Sequence, residues 1–168
     1  MSDPLLIADS GPLIALARLD LLALPKRYFK EVLVTEAVWL EVTRKPSGLE
    51  TARLHAALHG DLLSHAEVSA SAPDAAPQLL NRKGVDAGER SAILLAMELR
   101  ATLLMDDRRA RLVARELGLD VLGTLALLVR ARESGYLGPV RPLLEQLAAT
   151  GYYLPVEVIA GLLKDLGE

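Results

Sequence analysis

Short apolar runs alternate along this chain with longer helical stretches, and the runs end in acidic or turn-forming residues. Leu5-Leu6-Ile7-Ala8 closes on Asp9-Ser10-Gly11-Pro12. Short runs closed by Gly and Pro fit strands buried on both faces, as in a parallel sheet. Val32-Leu33-Val34 is a second such run. Ala101-Thr102-Leu103-Leu104-Met105 is a third, leading into Asp106-Asp107, and Asp120-Val121-Leu122 is a short last one ending at Gly123-Thr124. Leu62–Val68 is a marginal further candidate. Between them the spacing predicts a helix entered through Pro12 with Ser10 as its cap. A short helical piece follows Pro25, and Thr35 caps a helix whose stripe is Val38, Trp39 and Val42, ending at Pro46-Ser47-Gly48. Further helices are expected over 49–59, Ala87–Arg100 and a basic segment Arg108–Leu117. Three more fill the rest, broken at Gly135–Pro139 and Gly151–Pro155. Ser69 to Pro77, rich in Ser, Ala and Pro, reads as a loop. Strands alternating with helices predict an α/β fold with a parallel sheet covered on both faces.

Composition narrows the function. The 168 residues contain no cysteine, which excludes a disulfide framework, a thiolate zinc site and a cysteine nucleophile. Aromatics make up 4%, too few for a surface of stacked rings. A net charge of -3 and a pI near 5.7 argue against a broad DNA-coating role but leave room for a local basic patch. Mean hydropathy is positive, yet the apolar runs are far short of the roughly 20 residues a spanning helix needs. Met1-Ser2-Asp3-Pro4 offers no basic n-region, so no secretory signal is expected. A helix-rich cytoplasmic protein is the expectation.

In an open parallel sheet, ligands bind outside the carboxyl ends of the strands. Asp9 ends the first strand and Asp106-Asp107 the third, so these acids share one edge. Clustered carboxylates without Cys or paired His suit a hard divalent cation such as Mg2+. Each acid also has a plainer role. Asp106 or Asp107 can cap the basic helix, Asp86-Ala87-Gly88-Glu89 has capping-box spacing, and Glu41 can be a solvated helix acid. Asp9 resists that treatment, because a charge at the end of a buried strand is costly unless paired or metal-bound.

Four segments carry a family resemblance. Ile7-Ala8-Asp9-Ser10-Gly11-Pro12-Leu13-Ile14 resembles the opening strand and turn of PIN-domain nucleases. Val34-Thr35-Glu36-Ala37-Val38-Trp39-Leu40-Glu41-Val42 is similar to their second motif, with its acid at Glu41 rather than Glu36. Gly88-Glu89-Arg90-Ser91-Ala92-Ile93 resembles the third, with Glu89 as its acid, and Leu104-Met105-Asp106-Asp107-Arg108 the fourth. A Thr/Ser-x-Asp pattern there puts the main ligand on Asp107; Met105 departs from it and leaves Asp106 as the alternative. Gly123-Thr124-Leu125-Ala126-Leu127-Leu128 and Arg132-Glu133-Ser134-Gly135-Tyr136-Leu137 resemble the C-terminal part of a prokaryotic branch of that family.

The resemblance implies a single α/β/α sandwich over 1–168, with 123–168 forming C-terminal helices packed on it. It implies Mg2+ or Mn2+ in an acidic pocket and hydrolysis of RNA phosphodiester bonds to 5′-phosphate and 3′-hydroxyl ends. Asp9, Glu89 and Asp107 (or Asp106) would hold the cation, with Glu41 ligating it or orienting the water bound to it. Arg108 and Arg109 would flank the pocket and hold phosphates, whereas Arg111 and Arg115 read as a solvated helix face. Ser10 and Thr124 can orient carboxylates, although capping is the simpler role for each. Many relatives are homodimers, and many are toxins of VapC-type toxin–antitoxin pairs, so a second copy and a small antitoxin are the partners implied.

Other signals carry less. His55 and His59 stand four apart with His65 following, but without an HExxH pattern they read as surface histidines. Trp39 reads as core, and the Leu-rich C-terminal helices read as core or dimer surface rather than a membrane face. A phosphoacceptor receiver would need an acidic pair after the first strand and a Lys near the last, and no Lys occurs from 84 to 163. A haloacid-dehalogenase-type phosphatase would need a second Asp where Gly11 stands. The rival of a different class is a PIN fold with little or no nuclease activity, serving as a nucleic-acid-binding or protein-interaction module.

Overall fold

A computed structural model describes residues 4–44, 48–69, 78, 80–81 and 84–168. Strand β1 (Leu5–Ala8) lies at the centre of a five-stranded parallel sheet. Leu6, Ile7 and Ala8 are fully buried, as a run covered by helices on both faces requires. On one side β1 pairs with β2 (Glu31–Val34), which pairs with β3 (Ser64–His65). On the other it pairs with β4 (Thr102–Leu104), which pairs with β5 (Val121–Leu122). The spatial order is β3-β2-β1-β4-β5. The winding reverses at β1, and that reversal opens a crevice at the carboxyl ends of β1 and β4.

The helices are α1 (Ser10–Arg18), α2 (Glu36–Val42), α3 (Leu49–His59), α4 (Ala87–Leu99), α5 (Arg108–Glu116), α6 (Thr124–Glu133), α7 (Arg141–Ala149) and α8 (Val156–Asp165). A 3-10 turn spans Leu24–Arg27. They complete a three-layer α/β/α architecture, with α1 against α2 and α3, and α4 against α2, β1 and β4. Thr35 caps α2 through its hydroxyl, which accepts the Val38 N–H. In α5 the buried positions Ala110, Val113 and Ala114 recur at helical spacing. Arg100, expected inside α4, instead stands just past it in the left-handed conformation that closes a helix.

Two expectations shrink. The marginal strand Leu62–Val68 pairs only at Ser64 and His65, where Val34 still offers partners. Ser10 is the first helical residue of α1 rather than its cap; Asp9 holds the cap position. The expected loop from Ser69 to Pro77, beyond Ser69 itself, and the helix stop at Pro46-Ser47 lie outside the described residues.

The C-terminal helices share the core of the sheet. Leu127, Leu128, Ala131, Val140, Leu144 and Leu147 join the buried cluster that includes β1 and β4. Arg18 donates to Thr150, and Gln146 donates to the Arg18 carbonyl, tying α7 to the end of α1. Glu168 accepts from Arg132 and from the Val140 and Arg141 backbones, closing the tail onto the turn between α6 and α7. No helix among the described residues is long and apolar enough to cross a membrane.

Burial separates positions that look alike in sequence. Leu103 is 0% exposed and Leu112 is 51% exposed. Leu103→Ala is expected to cost about 2–5 kcal/mol in urea unfolding, whereas Leu112→Ala should stay within about 0.5 kcal/mol.

Candidate active site

Parallel pairing brings the carboxyl ends of all five strands to one edge of the sheet. The Asp9 N–H donates to the Leu104 carbonyl at 3.0 Å, which levels the end of β1 with the end of β4. Asp9 is 4% exposed, and its Oδ1 is buried without a hydrogen-bond partner. An acceptor in that state is costly, and more so when charged. Burial first, then the charges of Glu89, Asp86 and Glu41, push the Asp9 carboxyl up to about 7; the Ser10 backbone N–H pulls it partly back. Ser10 therefore serves Asp9 through its main chain.

Glu89, 8% exposed, lies in the first turn of α4. The capping box is real: the Asp86 N–H donates to Glu89 Oε2 at 2.9 Å, and the Glu89 N–H donates to Asp86 Oδ1 at 2.8 Å. Burial raises the Glu89 carboxyl to about 7, with Asp86, Asp107 and Glu41 adding to the rise. The capping role and membership of the acidic cluster coexist in one side chain. Asp86, which reads from sequence as a cap alone, proves to be a fifth acid of this cluster.

Glu41 reaches the cluster because residue 88 is glycine. A Cβ there would lie 2.8 Å from Glu41 Oε2 and 3.4 Å from Asp86 Oδ1. The surrounding turn is held by Ser91, whose hydroxyl donates to the Gly88 carbonyl at 2.7 Å and bonds the Thr35 hydroxyl at 2.6 Å. A cleft of about 320 Å³ beside it is lined by Leu40, Glu41, Arg44, Asp86 and Gly88 among others. A somewhat larger cleft, at Arg100 and Leu117–Asp120, lies at the opposite edge of the sheet, away from these acids.

The two consecutive acids after β4 face different neighbours. Asp107 caps α5, its Oδ1 accepting the Arg109 and Ala110 N–H groups at 2.9 Å each, and its charge is felt by Glu89. Asp106 turns to the C-terminal third. Its Oδ1 accepts the Thr124 N–H at 2.8 Å, and its Oδ2 accepts the hydroxyls of Thr124 at 2.6 Å and Tyr152 at 2.5 Å. Thr124 is not a cap: Gly123 holds that position of α6, and the Thr124 hydroxyl goes to the carboxylate. Tyr152 had no signal in the sequence. Burial and the adjacent Asp106 charge push its phenol well above the usual range, so it remains a donor.

The basic residues also separate. Arg108 is exposed, and the Arg109 side chain crosses Gly84, two residues before Asp86, with Cδ 3.0 Å from where a Cβ would sit. Arg111 corrects the expectation of a solvated face. It is partly buried, its Nε is buried without a hydrogen-bond partner, and its Nη1 is 3.1 Å from the position a Gly123 Cβ would take. Arg115 is exposed. His55 and His65 are exposed and meet the buried Trp39 ring edge-on at 5.2 and 5.1 Å.

A protein-family model described as PIN domain matches residues 5–168. The chain belongs to the PIN-domain family. PIN domains are nucleases as a rule, act on nucleic acid and typically use divalent metal ions, so the chain has a nuclease-type fold. No curated protein matches the chain. The residues fit the metal that the PIN family implies: an orphaned, buried carboxylate oxygen on Asp9 lies within reach of the Glu89, Asp86 and Glu41 charges, and carboxylate oxygens are the donors that hard cations take. Among the described residues no three such side chains already converge into a ready-made cage.

Two outcomes follow for the metal-free PIN domain. Asp9 and Glu89 titrate near 7 when folded and near 4 when unfolded. Between those values the unfolded chain releases protons that the folded chain keeps. Stability therefore falls as pH rises from about 4 to about 7, then levels off. Asp9→Asn is expected to flatten this decline and to exceed the wild type in urea midpoint at pH 8; a parallel decline in both would exclude Asp9 as its source. Gly88→Ala is expected to keep stability within about 1 kcal/mol, because the atom it displaces is the end of a flexible side chain. NMR titration should then show the Asp9 and Glu89 carboxyls moving down as the Glu41 charge retreats.

Proposed function

We propose that this PIN domain is a metal-dependent endoribonuclease whose centre is the carboxylate cluster at the β1–β4 crevice. The observation that carries the reading is the Asp9 carboxylate, buried at the end of the central strand with an unpartnered oxygen and facing Glu89, Glu41 and Asp86. An arrangement that holds carboxylates together against their mutual repulsion makes sense as a receiver of positive charge.

In this reading Asp9, Glu89 and Asp107 hold Mg2+ or Mn2+. When bound, the cation polarises the scissile phosphate and lowers the pKa of water. Glu41, kept close by Gly88, orients the attacking water or adds a ligand. Asp107 keeps its turn rigid because the same carboxylate caps α5. The split between Asp106 and Asp107 favours Asp107 as the ligand: among the described residues, Asp106 accepts its side-chain hydrogen bonds from Thr124 and Tyr152, while the Asp107 charge reaches Glu89. Arg108 and Arg109 offset the repulsion between an acidic pocket and a polyanion by holding flanking phosphates.

From the family resemblance this reading also takes RNA as substrate, a cytoplasmic homodimer and, as one role, the toxin of a toxin–antitoxin pair. Tyr153 and Val156, 84% and 81% exposed around the start of α8, supply apolar surface that a second copy or a small antitoxin would cover.

Calorimetric titration with Mn2+ tests the centre directly. The wild type is expected to bind, and folded Asp9→Asn to lose that binding. Cleavage of RNA should leave 5′-phosphate ends, stop with EDTA and return with Mn2+, and fall about a thousandfold in Asp9→Asn, or about 4 kcal/mol of transition-state stabilisation. If the wild type binds no Mn2+ even with a nucleic-acid analogue present, the catalytic assignment fails and an interaction module takes its place.

A further inference from the structure

Asp106 and Tyr152 stand 46 residues apart in sequence, yet their side chains meet in the β1–β4 crevice. Tyr152 lies in the break between α7 and α8 and is partly buried. Its hydroxyl sits 3.8 Å from where a Gly11 Cβ would be, and Asp106 Cβ sits 4.0 Å from the same point. Gly11 is two residues past Asp9 in the first turn of α1. The phenol is thus wedged between the turn that follows β1 and the turn that follows β4, the two turns that carry Asp9 and Asp107.

The bonding around Asp106 is one-sided. Tyr152 donates to Oδ2, and Thr124 donates to both oxygens. The carboxylate is held from the start of α6 and from the tail at once, and the residue so fixed is covalently next to Asp107. Asp107 in turn is fixed on its other side by the N–H groups of α5. A carboxylate ligand performs best when a neighbouring shell locks its orientation. Here that shell is supplied in part by the chain's C-terminal segment.

We infer that Tyr152 is a positioning residue of the carboxylate centre: through its hydrogen bond to Asp106 it sets the β4–α5 turn and hence the placement of Asp107 relative to Asp9. This rests on the metal-centre reading above and extends it by making the segment between α7 and α8 part of the centre. Tyr152 donates to Asp106 and not to Asp107, so its effect on the Asp107 ligand is indirect. Its ring packs partly buried against the core, so the hydroxyl and the ring have separable roles. Tyr152→Phe removes the donor and keeps the ring.

The test is Mn2+ calorimetry on the full chain for wild type, Tyr152→Phe, Asp106→Asn and the double variant, with thermal melting alongside. Tyr152→Phe is expected to weaken Mn2+ binding about tenfold, the lower end of what losing an outer-shell partner costs, while its melting temperature stays within a few degrees. Asp106→Asn should weaken binding too, and the double variant should be no worse than the more affected single one, since both break the same link. Three outcomes overturn the inference. Unchanged Mn2+ affinity in Tyr152→Phe shows that the hydroxyl does not position the centre, and a lowered melting temperature with unchanged affinity shows a role in packing alone. Additive losses in the double variant show that Tyr152 does not act through Asp106. A wild type that binds no Mn2+ removes the metal-centre reading itself, and the inference falls with it, a result distinct from the other three.

Discussion

Everything at the carboxyl edge of this sheet turns on one unfavourable placement: a carboxylate buried at the end of the central strand. Asp9 follows three fully buried residues, its main chain is bonded into the sheet at Leu104, and its side chain is buried with them. Its Oδ1 has no partner, and its nearest charged neighbours are also acids. Burial and like charge both oppose ionisation. The sheet, with its large apolar interior, supplies the stability that holds such a group in place, and a concentration of negative charge with oxygen donors is the chemical result.

The surroundings of Asp9 show how ordinary secondary-structure devices are put to a second use. The capping box at the start of α4 satisfies two backbone donors and at the same time fixes Glu89 and Asp86 near the buried carboxylate. The Asp107 cap secures α5 and brings a further acid to the same edge. Capping and site formation do not compete here, because a carboxylate has two oxygens with several lone-pair directions, and the first turn of a helix favours negative charge. Gly88 contributes by what it lacks, since the space a methyl would fill is taken by the Glu41 carboxylate.

The C-terminal third enters the same edge from a distance. Thr124 and Tyr152 converge on Asp106, while Leu127, Leu128, Leu144 and Leu147 fill the core beside the sheet. Apolar packing brings α6 and α7 alongside, and the polar contacts then have a defined partner. Arg111 belongs to this region as well: its guanidinium passes Gly123 in a space that any side chain at that position would narrow.

Much of this was legible in the residue order. Apolar runs of strand length ending in Asp9, Asp106 and Gly123 determined a parallel α/β sheet and the edge where its acids gather, because strand direction alone decides which ends align. The acids Asp9, Glu41, Glu89 and Asp107 stand out in the sequence through their motifs. What the sequence left open were choices between neighbours and contacts between distant segments. Asp106 and Asp107 are adjacent acids in one turn, and only packing of α6 and the tail gives the first of them its three donors. Tyr152, in a Gly-Tyr-Tyr-Leu stretch, looks like any apolar tail residue until the end of α7 is tied to Arg18 at the end of α1. Arg111 looks like a solvated helix cation until its own helix docks beside Gly123. Local chemistry and periodicity were carried by the sequence itself; which side chain meets which across the crevice was decided by tertiary structure, since such contacts depend on where the apolar faces of distant helices come to rest.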